Sequence, residues 1–210
     1  HYLPSPDERH RGGAPGSQMK LNRIERWFVI SPFRRLLQYF VVQWFRQHAG
    51  GSRFDRVLEI GCGGGAGARM ISEQFVPGRL FLVDLDAGMV RRAASNCEET
   101  SCADAFFCAA DAARIPFQNA SMDTIFGFGF LHHVPAWKAG MAEIARVLRP
   151  GGTYFFEEYY PGAYRNWITR RLLVHPEKDR FNSLDLKEGF ARAGLSLQQT
   201  FELRRFGIIG

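Results

Sequence analysis

A cluster of glycines directly behind an apolar run constrains this chain more than any other feature. The segment VLEIGCGGGAG covers residues 57–67, and glycines stand at the alternate positions Gly61, Gly63, Gly65 and Gly67. Glycine inside a helix or strand costs roughly 0.5–1 kcal/mol relative to alanine, so a cluster needs a reason. Close approach of the backbone to a ligand supplies that reason when a strand leads into a helix. A tight turn that binds nothing is the structural alternative.

Short apolar runs alternate with helical patterns from residue 56 onward. We predict strands at 56–60, 79–86, 105–111, 122–129 and 153–160, and helices at 65–75, 89–96 and 137–148. Residues 161–181 are expected to form an irregular insertion. Ser183 is expected to cap a last helix that runs to Ala193, and a strand-like pattern follows at 195–206. The repeated strand–helix–strand order predicts an α/β fold with a mainly parallel sheet.

The first 50 residues precede this alternating region. Residues 1–18 have no apolar period and predict a disordered tail. A short basic helix is expected at 19–30, and Ser31-Pro32 marks the start of a second helix. That helix carries apolar residues at helical spacing, namely Phe33, Leu36, Leu37, Phe40, Val41, Trp44 and Phe45. We therefore divide the chain into a tail at 1–18, an N-terminal helical lid at 19–50 and an α/β domain at 51–210.

Composition limits the classes of partner. The chain has 210 residues, 46% of them hydrophobic, and a formal net charge of +6, which permits an anionic partner but does not require one. No apolar run approaches the roughly 20 residues of a membrane span, and the start lacks the apolar stretch of a secretory signal. The four cysteines lack metal-ligand spacing, so we expect no metal site and four reduced thiols in a cytoplasmic protein, at Cys62, Cys97, Cys102 and Cys108.

Three carboxylates accompany the glycine segment. Glu59 lies in the first predicted strand, where it would repel a phosphate and attract a cationic group. Asp84 ends the second strand and can accept hydrogen bonds from ribose hydroxyls. Asp111 ends the third strand, where it can accept from the exocyclic amine of adenine. Although GCGGGA matches the dinucleotide pattern, the three acids favour an adenosine ligand of positive character. An NAD-dependent oxidoreductase is the disfavoured alternative.

From about residue 55 to 158 the chain resembles the class I S-adenosylmethionine-dependent methyltransferases of the small-molecule type 11 group. The resemblance rests on VLEIGCGGGAG, VDLDAGMV, CAADAARIPFQNASMDTIF, FLHHV and EIARVLRPGGTYFFEE, and FNSLDLKEGFARAGL resembles the helix before the family's final hairpin. It implies a Rossmann-like, doubly wound sheet of seven strands in the order 3-2-1-4-5-7-6, with the last strand antiparallel. Residues 51–210 would then be the methyltransferase domain. The sequence departs from the family by ending at FGIIG, so the final hairpin strand is expected to be short or cut off.

The resemblance also implies roles for individual residues. S-adenosylmethionine would be the cofactor, and its methionine part and ribose would lie beside Gly61, Gly63 and Gly65. Glu59 would orient the loop and the cationic amino group, and Asp84 would bind the ribose. The adenine would lie near Leu85, Met89, Asp111 and Ala112, although plain core packing competes as the role of Leu85 and Met89. The methyl-transfer site would lie beside Gly127 and Phe128.

Methyl transfer needs an in-line approach by a nucleophile of the acceptor, so positioning and electrostatics supply most of the catalysis. A general base is needed for a hydroxyl acceptor, and the candidates are His132, His133, Glu157, Tyr159 and Tyr160, with His175 a surface residue of the insertion. GFGF stands where base-methylating enzymes carry an Asn/Asp-Pro-Pro-aromatic motif, which disfavours a nucleic acid acceptor. The expected acceptor is a small molecule. A non-catalytic partner subunit with this fold is the alternative.

The N-terminal helices offer two interpretations. Their aromatic residues are Trp27, Phe28, Phe33, Phe40, Trp44 and Phe45, and the surrounding basic residues are Lys20, Arg23, Arg26, Arg34, Arg35 and Arg46. Only Glu25 opposes that charge. In one interpretation the aromatic stripe packs on the sheet and its helices. In the other, the helices form a lid for an apolar acceptor and dock on an anionic membrane.

Overall fold

The computed structural model of this protein describes residues 32–98, 100–102, 104–164 and 180–210. Its strands are β1 Arg56–Ile60, β2 Arg79–Asp84, β3 Phe106–Ala109, β4 Met122–Phe128, β5 Leu148–Tyr159, β6 Phe201–Leu203 and β7 Gly207–Ile209. Its helices are α1 Pro32–His48, α2 Ala66–Phe75, α3 Ala87–Cys97, α4 Trp137–Val147, the single turn α5 Pro161–Tyr164 and α6 Ser183–Arg192. A 3₁₀ turn covers Leu131–His133. The predicted helix at 19–30 lies outside the described residues.

The strands form a single sheet of seven within the described ranges. Their order is β3-β2-β1-β4-β5-β7-β6, as the family resemblance implied. Strands β1 to β5 pair in parallel, and β7 is antiparallel to β5. The carboxyl ends of the parallel strands therefore meet at one edge of the sheet, where ligands of open α/β sheets bind.

Helices cover both faces of the sheet and enclose a core on each. On one face α1, α2 and α3 contribute buried residues such as Val42, Ile71 and Val90. On the other face α4 and α6 contribute residues such as Ile144 and Leu186. The doubly wound architecture is thus confirmed.

Helix α1 packs on the sheet with part of its aromatic stripe only. Phe45 is fully buried, and its ring centroid lies 5.2 Å from that of Phe155 and 5.8 Å from that of Phe128. Phe40 is 61% exposed, whereas Trp44 is half-buried and stacks on the ring of His48. The C-terminal half of α1 is therefore part of the core, as the packing interpretation expected, but its first turns leave apolar side chains in solvent.

Three details of the chain trace correct the sequence prediction. Strand β5 begins at Leu148 instead of residue 153, because it continues directly from α4. The last helix is capped by Asn182 instead of Ser183. The Asn182 side chain accepts from the N–H of Asp185, whose carboxylate accepts from the N–H of Asn182, a reciprocal capping box. The pattern at 195–206 yields only the three-residue strand β6.

Two of the four cysteines are not free thiols, which corrects the expectation of four reduced cysteines. Cys97 ends α3 and forms a disulfide with Cys102, their Cα atoms 5.2 Å apart. The chain turns between α3 and β3, and this turn brings two buried sulfur atoms together. Cys62 and Cys108 are free and buried.

Candidate active site

The glycine segment after β1 forms a loop that is held against the end of β2. The N–H of Gly61 donates to the carbonyl oxygen of Val83 at 2.8 Å, and the N–H of Gly63 donates to Asp84 Oδ2 at 2.9 Å. Gly65 precedes α2 with a φ of 84°, a left-handed conformation that glycine adopts without strain. The loop therefore lies at the carboxyl edge of the sheet, next to the start of a helix, where a ligand can approach the backbone closely.

Asp84 joins the loops that follow β1 and β2. One carboxylate oxygen accepts from Gly63, and the other accepts from the N–H of Asp86 at 2.9 Å. Asp86 in turn caps α3, since its Oδ1 accepts from the N–H of Gly88 at 2.8 Å. Burial raises the pKa of Asp84, and the two N–H groups oppose this rise because they stabilise the charged form.

Glu59 lies in β1 beneath the glycine loop and is 2% exposed. Its Oε2 atom is buried with no hydrogen-bond partner among the described residues. A Cβ atom at Gly67 of α2 would collide with Oε1 of Glu59 and would lie 2.9 Å from Nε2 of Gln38 in α1. Burial raises the pKa of Glu59 well above its ordinary value, and the charge of Asp84 adds to this effect. A ligand with a hydrogen-bond donor can satisfy this buried carboxylate oxygen.

The residues predicted to surround the adenine occupy different environments. Leu85 follows β2 and is 38% exposed, whereas Met89 in the first turn of α3 is buried. Asp111 lies two residues beyond β3, is exposed, and accepts from the N–H of Ala113 at 2.8 Å. Ala112 is buried among core residues. The exposed members, Leu85 and Asp111, are the ones a ligand can reach without displacing core side chains.

Phe130 fills the space between the ends of β1 and β4. A Cβ atom at Gly61 or at Gly127 would lie only 2.5 Å from an atom of the Phe130 side chain. Gly61, just after β1, and Gly127, in the neighbouring strand β4, therefore make room for one aromatic ring. The ring of Phe128 packs under α1 against Phe45, so its backbone is the part that borders the loops.

Two of the candidate bases form a buried cluster with α1. Glu157 accepts from Arg34 Nη2 at 2.5 Å and from the hydroxyl of Tyr159 at 2.6 Å. Burial raises the pKa of Tyr159, and the neighbouring charge of Glu157 adds to the rise. Both carboxylate oxygens of Glu157 thus have partners inside the protein.

The remaining candidates are distributed along the same edge. His132 lies in the 3₁₀ turn and bonds through Nδ1 to Glu158 Oε2 at 2.9 Å. The ring of His133 lies 4.2 Å from that of His132, centroid to centroid. The hydroxyl of Tyr160 donates to Glu202 Oε1 at 2.9 Å. His175 lies outside the described residues, and no cluster of three or more metal-ligating side chains occurs in the part of the chain that is described.

The sequence patterns did not single out Phe130 or Glu158. The double acid in FFEEYY carried a signal, because consecutive strand residues point to opposite faces. Glu157 faces α1 and Glu158 faces the 3₁₀ turn. The pattern alone could not identify which elements lie on those faces.

Comparisons with known proteins agree with this arrangement. Residues 57–152 match the family model described as "Methyltransferase domain". A fatty-acid O-methyltransferase of Mycolicibacterium smegmatis is 32% identical over 107 residues, which cover 50% of this chain and 38% of that relative. A phthiotriol/phenolphthiotriol dimycocerosates methyltransferase of Mycobacterium leprae is 29% identical over 106 residues, again 50% and 38% of the two chains. The present chain therefore spans well under half the length of these curated relatives.

A solved S-adenosylmethionine-dependent methyltransferase of Aquifex aeolicus shares the fold. It superposes with a TM-score of 0.71 at 16% identity, over 90% of this chain and 97% of that chain. Three observations agree with this fold. They are the strand order, the glycine loop bound to Asp84 at the end of β2, and the match of residues 57–152 to the family model. Residues 57–152 therefore match a methyltransferase domain, within a chain that has the fold of the class I S-adenosylmethionine-dependent methyltransferases.

Proposed function

We propose that this protein transfers a methyl group from S-adenosylmethionine to an oxygen atom of a small, lipophilic acceptor. S-adenosylmethionine, the cofactor of the family, supplies a sulfonium methyl group that is already activated for transfer. The observation that carries the proposal is the glycine loop held by Asp84 above a buried carboxylate with an unpartnered oxygen, Glu59 Oε2. The choice of acceptor is drawn from the relatives, whose names specify a fatty acid and a phthiotriol dimycocerosate.

The described residues fit the cofactor in charge. Glu59 would provide negative charge for the cationic amino group, either directly or through the loop. Asp84 would accept from the ribose hydroxyls while it holds Gly63, since each carboxylate oxygen has a second lone pair. Gly61 and Gly65 have positive φ and shape the loop, with Phe130 against Gly61 and Ala93 of α3 against Gly65. The adenine would lie against Leu85, with Asp111 at its edge. The other members of the predicted set are Met89, Ala112, Gly127 and Phe128.

Catalysis in this proposal consists mainly of positioning. The acceptor oxygen must approach the methyl group in line with the bond that breaks, and fixed geometry supplies most of the rate enhancement. The end of β4 and the end of β5 would enclose the acceptor, with Tyr159 and His132 on its side of the site. A hydroxyl acceptor also requires a proton acceptor, and His132, His133, Glu157 and Tyr159 are the candidates.

The first turns of α1 support a lipophilic acceptor. Leu36, Leu37, Tyr39 and Phe40 are between 39% and 61% exposed, on the helix that Arg34 joins to β5. We propose that this part of the 19–50 lid covers the acceptor and touches an anionic membrane transiently. Among the described residues no helix combines the length and the apolar character that crossing a bilayer requires. Replacement of two exposed side chains, Leu36→Ser and Phe40→Ser, should abolish co-sedimentation with anionic vesicles while the core, which contains Phe45, stays folded.

A cytoplasmic location is part of the proposal. The disulfide between Cys97 and Cys102 weighs against it, because disulfides are more typical of oxidising compartments. Thiol labelling of the protein in intact cells, followed by mass spectrometry, would test the location. Two labelled thiols at these positions would support the cytoplasm.

The experiment for the proposed function measures the formation of S-adenosylhomocysteine with acceptors of matched chain length. We would compare laurate, dodecanol and dodecylamine with acetate and ethanol. Turnover of a twelve-carbon oxygen acceptor, with the short acceptors inactive, is the expected result. Binding of S-adenosylmethionine without turnover of any acceptor would instead favour the non-catalytic partner subunit, and preferential binding of NAD would favour the oxidoreductase.

A further inference from the structure

The hairpin formed by β6 and β7 exposes three large apolar side chains. Phe201 and Leu203 of β6 are each 55% exposed, and Phe206 in the turn that follows is 57% exposed. Strand β6 is the last strand of the sheet, and no strand of the described ranges pairs with its outer side. Neighbouring apolar side chains that stay in solvent mark an interaction surface.

The exposed side of this hairpin is also basic. Arg204 and Arg205 are consecutive, exposed residues of the turn, and neither has an ion-pair partner among the described residues. Glu202, the one acid of the hairpin, points to the opposite face of the sheet from its strand neighbours. Its carboxylate accepts from Lys187 Nζ at 2.6 Å and from the hydroxyl of Tyr160 at 2.9 Å. The hairpin therefore presents two unopposed cations beside its apolar side chains.

The turn of the hairpin lies at the carboxyl edge of the sheet, beside the candidate active site. Gly207 of β7 lies opposite Tyr159 of β5, and the N–H of Tyr160 donates to the carbonyl oxygen of Phe206 at 2.9 Å. The start of α1 is held to the same end of β5 by its buried ion pair. The exposed apolar side chains of α1 and those of the hairpin thus belong to two elements that meet β5 where it ends.

We propose that the β6–β7 hairpin is a second contact with an anionic lipid bilayer. Leu203 and Phe206 would enter the interfacial region, and Arg204 and Arg205 would bind lipid phosphate groups. Apolar side chains flanked by cations are the composition of interfacial segments, because each part contacts the layer of the bilayer that solvates it. This inference rests on the proposed function and extends its membrane contact from α1 to a separate element.

An acidic protein could also neutralise the two arginines, but two observations favour a bilayer. The apolar side chains form no groove that would hold one segment of a partner, since they lie on an edge strand and its turn. The second apolar surface, on α1, meets the same strand end. A single weak contact gives only reversible membrane binding, whereas two contacts together give stable attachment. Docking through both would direct the carboxyl edge, where the acceptor is methylated, toward the bilayer.

Co-sedimentation of the full chain with vesicles of equal parts phosphatidylserine and phosphatidylcholine tests the charge of the hairpin. Arg204→Gln/Arg205→Gln should lower the partition coefficient about 30-fold, which corresponds to about 2 kcal/mol at roughly 1 kcal/mol for each arginine. Arg91→Gln/Arg92→Gln is the matched control. It removes two consecutive, exposed arginines from α3, which precedes β3 at the other end of the sheet. Unchanged binding in the hairpin variant, or equal losses in both variants, would overturn the proposal.

A fluorophore that is sensitive to polarity tests whether the hairpin itself enters the bilayer. The label would be attached at Phe206→Cys and, as a control, at Val76→Cys, since Cys62 and Cys108 are buried. Val76 is 79% exposed and follows α2 at the opposite edge of the sheet. Addition of the same vesicles should shift the emission to shorter wavelength at position 206 and leave it unchanged at position 76. No shift at position 206 would overturn the proposal.

These measurements need no turnover, so they stay decisive if every acceptor fails and the proposed function is wrong. Loss of vesicle binding in Leu36→Ser/Phe40→Ser but not in the hairpin variant would leave α1 as the membrane contact and refute the role of the hairpin. Binding to poly-glutamate that Arg204→Gln/Arg205→Gln removes, without binding to vesicles, would also refute it. The hairpin would then be a surface for an acidic protein.

Discussion

Arg34 of α1 and Glu157 of β5 form a buried ion pair with an N–O distance of 2.5 Å. The side chains are 8% and 7% exposed, and the hydroxyl of Tyr159 donates to the same carboxylate. The pair connects the start of the N-terminal helix to the strand end that carries Tyr159 and Glu158. The helix that we propose as part of the lid is thus tied to the candidate active site by charge.

Arg34→Ala should lower the free energy of unfolding by about 3–5 kcal/mol, because it leaves the carboxylate of Glu157 buried without its counter-charge. Urea unfolding monitored by circular dichroism would measure the loss. The double variant Arg34→Met/Glu157→Leu removes both charges and should recover most of the stability. A loss below about 1 kcal/mol in the single variant, the range of an exposed pair, would show that the pair is not buried in solution.

Phe45→Ala should destabilise the protein by about 3–5 kcal/mol, because the ring is fully buried against the sheet. Phe40→Ala is the matched control on the same helix. Its ring is 61% exposed, and the change should stay within about 0.5 kcal/mol. Thermal unfolding of both variants would measure the difference. Similar losses in the two would mean that α1 does not pack through the face that contains Phe45.

Gly61→Ala should cost more stability than Gly151→Ala. Both glycines have positive φ, 73° and 75°, so either alanine incurs a left-handed strain of roughly 1–2 kcal/mol. A Cβ atom at Gly61 also meets Phe130 at 2.5 Å, whereas nothing lies within 4 Å of one at Gly151. The additional loss of unfolding free energy in Gly61→Ala should be about 1–3 kcal/mol, the usual cost of overpacking a core. Equal unfolding free energies for the two variants would contradict the placement of Phe130.

Asp84→Ala should weaken the binding of S-adenosylmethionine ten-fold or more. Hydrogen bonds to a charged group contribute roughly 1.5–3 kcal/mol each, and about 1.4 kcal/mol corresponds to one factor of ten in affinity. Isothermal titration calorimetry would measure the change, with Asp55→Ala as a control at an exposed acid that precedes β1. An unchanged affinity in Asp84→Ala would refute the assignment of the ribose site.

Local patterns predicted the features that depend on neighbouring residues. The run VLEI followed by alternating glycines indicated β1, the loop and α2, because strand, turn and helix each have a local signature. The order of the sheet came from the family resemblance, since periodicity does not specify which strands pair. The sequence does not decide between Asn182 and Ser183 as the cap of α6, because both residue types are good N-caps and only the bond to Asp185 distinguishes them.

Short sequence patterns do not predict the long-range contacts that complete the candidate site. His132 and Glu158 are 26 residues apart, and Arg34 and Glu157 are 123 apart. Their pairing depends on how β4, β5 and α1 pack, which no short segment encodes. The disulfide between Cys97 and Cys102 likewise depends on the path of the turn after α3. The predicted roles of the cofactor-binding residues stay predictions until a ligand is bound.

The most direct test of the account is mass spectrometry of the lipophilic products after incubation with S-adenosylmethionine that carries a deuterated methyl group. The account predicts that the deuterated methyl group appears intact on an oxygen of a twelve-carbon acceptor, that S-adenosylhomocysteine forms in equal amount, and that Asp84→Ala reduces both. Deuterium in no acceptor, or on a nitrogen or carbon atom only, would contradict it.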